Sequence, residues 1–435
     1  MEEILSKSSN GLRKAGLASL AVTLTLGAGA MGAGAANAAA GFSFDRLGGE
    51  DRYETSTIVA DEYAATNTDV ILANAQPGFY ADALTANFLA GEKEDPILLT
   101  RAEFTPKSVL AQLEEDGTKN ITVVGGETVV PEEQVDALEA EGYTVTRIAG
   151  SDRYLTNAEV IEAGGAAVNG VGVIATGQNF PDALAAGPIS YQGHPLGLSR
   201  ENNIDDEVIA ALKGAGVTKV LIMGGTDAVG AAVVAKLEAN GITVLERFAG
   251  ADRSETSELA AEWALKNLGF TNKHLGVASG YTKGYGADAL AGGPLEGKEK
   301  SPMLVTRSES NPDDVLDYLK AHCPTLIDGH LFGGPAAITT AAEATMEKAA
   351  SECATNQDFA VTPQESVTLT ALTGASEGTG DDRQYTVSGL TAGTTYTVAL
   401  LPAANVRLGA DGQTTFKDSA GTNGQADDLG DAATA

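Results

Sequence analysis

Basic residues are scarce. The 435-residue sequence carries 28 Lys and Arg against 59 Asp and Glu, a formal charge of −31. A charge of that size repels nucleic acid and anionic lipid head groups. That argues against nucleic-acid binding, and any anionic ligand has to be caught by local cations. Aromatics are only 5%, so a core must be built from Ala, Val, Leu and Ile. The only cysteines are Cys323 and Cys353. In an exported chain such a pair points to a disulfide; two buried thiols are the alternative. Two sulfurs without histidine at ligand spacing argue against a metal site at the cysteines. Of catalytic patterns, HExxH spacing is missing around His194, His274, His322 and His330, and no G-x-S-x-G elbow has a partner histidine. The sequence therefore reads as non-enzymatic.

Beyond the N-terminus no segment is apolar enough to span a bilayer. At the N-terminus, Lys7, Arg13 and Lys14 precede an Ala/Leu/Gly-rich stretch that ends in Ala36-Asn37-Ala38. This fits a cleaved signal peptide over 1–38, with a retained anchor as the alternative. A secreted protein with no membrane span after cleavage is expected. The whole sequence is 43% apolar with 52 glycines, a composition that folds and turns tightly.

The most informative feature is repetition, with a period of roughly one hundred residues. Arg46-Leu-Gly-Gly-Glu-Asp51-Arg52-Tyr53 returns as Arg147-Ile-Ala-Gly-Ser-Asp152-Arg153-Tyr154 and as Arg247-Phe-Ala-Gly-Ala-Asp252-Arg253-Ser254. Three more blocks follow each copy in the same order. They are Asp-Ala-Leu at Asp82, Asp182 and Asp288, a Pro-led apolar strand ending in Arg101, Arg200 or Arg307, and Gly-Gly at 125–126, 224–225 and 333–334.

Within a unit, Ile58, Val59 and Tyr63 share a helical face. Asp69–Asn74, Pro96–Thr100 and Asn120–Val124 read as buried strands, and Tyr143–Ile148 as a last strand leading into the next unit. Asp82 reads as the N-cap of the second helix, Thr105 as that of the third, and Pro131 as the opening of the fourth. Short apolar strands alternating with helices predict mainly parallel sheets covered on both faces. The fold class is α/β: three tandem Rossmann-like modules over 44–146, 147–246 and 247–353. The third departs from the pattern, as a terminal repeat without a following neighbour often does.

These motifs resemble the cell-wall-binding repeat family (type 2) of Gram-positive bacterial surface proteins, over about residues 44–352. The resemblance implies an intramolecular pseudo-trimer that holds a secreted protein non-covalently on the cell wall through an anionic secondary wall polymer, a polysaccharide, bound where modules meet. It also implies a site near the Ile-Leu-Leu strand end, intact at Ile97, Leu98 and Leu99 but altered at Leu196-Gly197-Leu198 and Met303-Leu304-Val305. A structural subunit of a surface-layer lattice, partnered by other subunits, is the second reading, and a wall-associated hydrolase the third.

Candidate polymer contacts are Arg101, Arg200 and Arg307, because parallel sheets present ligands beyond their strand ends and Arg grips phosphate or carboxylate bidentately. The alternative is an ion pair with Glu103 or Glu201. Arg52, Arg153 and Arg253 are candidates as well; the competing and favoured reading has Asp51, Asp152 and Asp252 capping helices while the arginines link modules. The Gly-Gly pairs read as tight turns rather than phosphate loops, and Glu127 has no acidic counterpart at Thr226 or Pro335.

From about Asp358 the composition turns Thr- and Gly-rich, predicting a small β domain over 358–435 with strands near Ser366–Thr370 and Tyr385–Ser388. Gly389–Val398 is similar to the segment before the tyrosine corner of fibronectin type III domains. No organic cofactor is expected. In the tail, Asp418 and Asp427 are candidate Ca²⁺ ligands, with a metal-free acidic tail as the alternative.

Overall fold

A computed structural model describes residues 42–63, 68–178, 181–280, 285–306 and 312–351, together with short strand segments between 368 and 434. The expected signal peptide, Arg307, Cys353, Asp418 and Asp427 lie outside the described residues.

The chain enters through strand β1 (Ser43–Leu47) and helix α1 (Arg52–Tyr63). The first sheet is then laid down by β2 (Asp69–Asn74), α2 (Tyr80–Lys93), β3 (Ile97–Thr100), α3 (Lys107–Glu115), β4 (Asn120–Val124), α4 (Glu132–Ala140) and β5 (Thr144–Ile148). Its order is β3-β2-β4-β5, parallel throughout. The second module runs α5 (Arg153–Ala163), β6 (Val171–Thr176), α6 (Pro181–Leu184), α7 (Gly187–Tyr191), β7 (Leu196–Ser199), α8 (Asp206–Gly214), β8 (Lys219–Met223), α9 (Ala231–Ala239) and β9 (Thr243–Phe248), with sheet order β7-β6-β8-β9. The third runs α10 (Arg253–Asn267), β10 (Gly276–Ser279), α11 (Asp288–Glu299), β11 (Met303–Thr306), α12 (Asp313–His322), β12 (Asp328–Phe332) and α13 (Thr340–Ser351).

The third sheet has the order β1-β12-β10-β11. Its outer strand comes from the start of the chain, in parallel register from Ser43↔Asp328 to Leu47↔Phe332. The strand ahead of each Asp-Arg motif thus completes the sheet of the preceding module, and the expectation that the third unit lacks a following neighbour is corrected. Three modules close into a ring.

Two helix caps also differ from expectation. Helix α2 begins at Tyr80, which places Asp82 inside its first turn, and α3 begins at Lys107 after Pro106, leaving Thr105 buried outside the helix. The predicted caps Asp51, Asp152 and Asp252 do cap: each carboxylate accepts from two amides at the start of α1, α5 or α10, such as Tyr53 and Glu54 at 2.9 Å.

Helices α2, α7 and α11 pack on one another at the centre, and a continuous apolar core spans the three modules. Alanine and glycine dominate there because the backbones approach closely. A Cβ on Gly91 would lie 1.8 Å from the carbonyl oxygen of Tyr191. The hydroxyls of Tyr63 and Tyr191 meet at 2.7 Å, and Lys298 donates to the Tyr63 carbonyl at 2.6 Å. A smaller core in the third module includes Phe42, Phe44, Leu331 and Met346. Cys323 is buried at the end of α12.

Past residue 367 the described segments pair antiparallel: Thr368–Ala371 with Tyr385–Ser388, Thr395–Tyr396 with Ala433–Thr434, and Phe416–Lys417 with Asn423–Gly424. Among the described residues no helix is long and apolar enough to cross a membrane.

Candidate functional site

In each sheet the chain proceeds from the first inner strand to the edge and then returns to the other side. This places a topological switch point between β2 and β4, where open α/β sheets form a crevice beyond their carboxyl ends. The Gly-Gly turn leaves β4 there with Gly125 at φ 125°, a left-handed conformation that glycine adopts freely. Its bare Cα admits the Asp82 carboxylate: a Cβ would sit 2.9 Å from Asp82 Oδ2. The following module supplies the other wall. The result is a cleft of 210 Å³ lined by Gly78, Asp82, Gly126, Thr128, Asp152 and Arg153. A matching cleft of 130 Å³ joins the third module to the first through Asp288, Gly334, Gly49, Asp51, Arg52 and Thr55.

The carboxyls in these clefts have unusual acidity. Burial pushes Asp82 up to about 7 against the opposing pull of Arg153, and burial likewise pushes Asp288 up to about 7 against Thr55 and Arg52. Asp182 is raised by burial too, opposed by Arg253. Asp82 Oδ1 is buried and has no hydrogen-bond partner among the described residues. Asp82 was expected as a helix cap; it and Asp288 are buried, Asp182 is half-buried, and all three face module junctions. Their recurrence at Asp-Ala-Leu was the available sequence signal, and only the fold shows what they face.

Both arginines of the motif bind backbone. Arg147 Nη1 donates to the carbonyls of Gly125 (2.8 Å) and Val130 (2.9 Å), and Arg46 and Arg247 do the same for Gly333 and Gly224. Arg52 donates to Ala75 O (2.6 Å) and Tyr80 Oη (2.7 Å), Arg253 to Gly280 O (2.6 Å). Arg153 donates to Gly177 O (2.9 Å) and across the junction to Gly78 O (3.1 Å). These contacts secure the turns that frame the clefts.

Ile97, Leu98 and Leu99 are fully buried in β3, so their side chains offer a ligand no surface. The surface begins one residue past the strand. Arg101 is half-exposed, pairs with Glu103 at 3.0 Å and lies 4.8 Å from the ring centroid of the exposed Phe104. Beside Phe104 opens a cleft of 410 Å³ between α3 and α4, lined by Thr105, Leu110, Pro131, Gln134 and Leu138 among others. Arg200 is more constrained. It pairs with Asp205 (2.5 Å) and Asp152 (3.3 Å), not with the expected Glu201, and lies 3.9 Å over the Tyr154 ring.

The model of cell wall binding domain 2 (CWB2) matches residues 46–135, 147–234 and 247–343. The N-acetylmuramoyl-L-alanine amidase LytC of Bacillus subtilis (strain 168) is 30% identical over 270 residues, 62% of this chain and 51% of LytC. The amidase enhancer of the same organism is 28% identical over 269 residues, 62% of this chain and 35% of that protein. The chain thus spans about half or less of the curated relatives it matches. Among solved structures, Cwp8 from Clostridium difficile aligns with a TM-score of 0.60 and 23% identity over 72% of this chain and 52% of its own. Cwp6 from the same organism aligns at 0.60 and 20%, over 70% and 48%. These two likenesses concern the fold.

Proposed function

Because the chain belongs to the cell wall binding domain 2 family, we propose that it anchors a surface protein non-covalently to the bacterial cell wall by holding an anionic secondary wall polymer along its module junctions. The observation that carries the proposal is the threefold family match, with all three copies folded into one ring. In a protein of net charge −31, the polymer must find local cations, and Arg101 is held by one carboxylate, Glu103, where Arg200 is held by two. The exposed Phe104 ring beside it adds an apolar face suited to a sugar. Asp82 and Asp288 support the same reading, since a carboxyl titrating near 7 can stay protonated and donate a hydrogen bond to a polymer oxygen. Arg307, outside the described residues, would serve the third module.

The proposed activity is binding; no catalytic step is assigned. The test is sedimentation with purified walls before and after acid extraction of their secondary polymers. Residues 41–352 should bind native walls and lose them after extraction, and residues 356–435 should not bind. Retention on extracted walls would overturn the polymer reading and favour contacts with other surface-layer subunits.

A further inference from the structure

At the N-terminal ends of the third sheet's strands, far along the chain from one another, four side chains converge. His274 precedes β10, Glu296 and Glu299 stand one turn apart on α11, and His330 lies in β12. One donor atom from each lies within 4.8 Å of all the others. His330 Nδ1 is 2.8 Å from Glu296 Oε1 and 2.9 Å from His274 Nε2. His274 Nε2 is 3.6 Å from Glu296 Oε1 and 3.5 Å from Glu299 Oε2. Ligand atoms bound tetrahedrally at zinc distances lie roughly 3.3 Å apart, and these separations bracket that edge. We propose that this cluster is a zinc site.

Three further observations support it. Behind the cluster, Asp328 Oδ1 lies 2.7 Å from His274 Nδ1, and Ser301 donates to Glu296. A carboxylate behind a ligating histidine fixes the tautomer that points its other nitrogen at the metal. Glu296 is wholly buried, and an ionised carboxylate in that position needs a positive charge close by. Gly276 leaves room for that buried side chain, since a Cβ there would lie 2.8 Å from Glu296 Cδ.

The first module provides an internal comparison. Lys93 ends α2 as Glu299 ends α11, and Thr122 is the third residue of β4 as His330 is of β12. Lys93 Nζ and Thr122 Oγ1 meet at 3.2 Å, so the first module places its own ammonium there. The third module replaces it with acids and imidazoles, a donor set for an external cation. Nitrogen with carboxylate oxygen suits zinc rather than calcium or magnesium. The ion would tie β12, the partner of β1, to the central helix α11, and its role there is to fasten the ring.

The test uses the untagged full chain, stripped with a chelator and titrated with zinc chloride. One equivalent should bind and raise the melting temperature, and cobalt in its place should give the visible absorption of a tetrahedral site. Asp328→Asn should weaken zinc binding about 10–100-fold while leaving the metal-free melting temperature unchanged. Glu299→Gln, at the exposed rim, should weaken it too without disturbing the core; His330→Ala should abolish it if that variant folds. Failure of the wild type to retain zinc, or equal zinc affinity in wild type, Asp328→Asn and Glu299→Gln, would overturn the site and leave a proton-linked His–Glu network. Wall binding is not the readout, so the outcome is independent of the polymer proposal.

Discussion

Arg46 donates from Nη1 to the carbonyl oxygen of Gly333 at 2.8 Å, so the first arginine motif of the chain secures the last Gly-Gly turn. With β1 paired to β12, this contact makes the third module depend on the N-terminal strand. Phe44→Ala should therefore destabilise the third module by about 3–5 kcal/mol, the usual cost of emptying a buried phenylalanine site. Hydrogen exchange of β12 and α13 should accelerate well before that of the second sheet; uniform acceleration would deny the local dependence.

Close approach at the centre gives a second test. Gly91→Ala would drive a methyl group against the Tyr191 carbonyl and force the first two modules apart, at about 1–3 kcal/mol for overpacking. Gly214, with open space around its Cα, is the control: Gly214→Ala should leave the melting temperature unchanged or slightly higher.

Asp82 should make stability depend on pH. Its folded pKa of about 7 lies above the ordinary 3.8, so between those values the native state holds a proton that the unfolded chain releases. Stability from this group falls as pH rises from about 4 to 7 and levels off above. Asp82→Asn should be more stable than wild type at pH 8, on the order of a few kcal/mol, with the difference vanishing near pH 4. Calorimetric melting across that range decides it.

Arg101→Ala should weaken wall binding about ten- to a hundredfold, the worth of one charge-assisted contact of roughly 1.5–3 kcal/mol. Its pair with Glu103 is exposed, so the melting temperature should barely move. Glu103→Gln frees the guanidinium and should strengthen binding. Unchanged affinity in both variants would place the polymer elsewhere.

The strands were legible where local composition decides them. Asp69–Asn74 and Asn120–Val124 are apolar runs bounded by polar residues, and both occupy those spans. Capping by Asp51, Asp152 and Asp252 was legible for the same reason, since the bonds run to amides two and three residues ahead. Long-range pairing was not. Ser43–Leu47 has the pattern of a strand, but nothing local specifies a partner at Asp328–Phe332. Asp82 looked like a cap because Asp-Ala-Leu is good cap chemistry, whereas helix α2 starts earlier and turns the carboxyl inward. His274 and His330 lacked ligand spacing in sequence because their meeting is made by two neighbouring strands and one helix.

Closure by the first strand also sets an order of events. During synthesis Ser43–Leu47 leaves the ribosome long before Asp328–Phe332 exists, and it must wait unpaired while the first two sheets form. A chain truncated ahead of β12 leaves β1 without its partner and the third junction cleft without its Gly-Gly turn. Completing the ring therefore acts as a check on length, because only a chain translated through its third module has all three junctions.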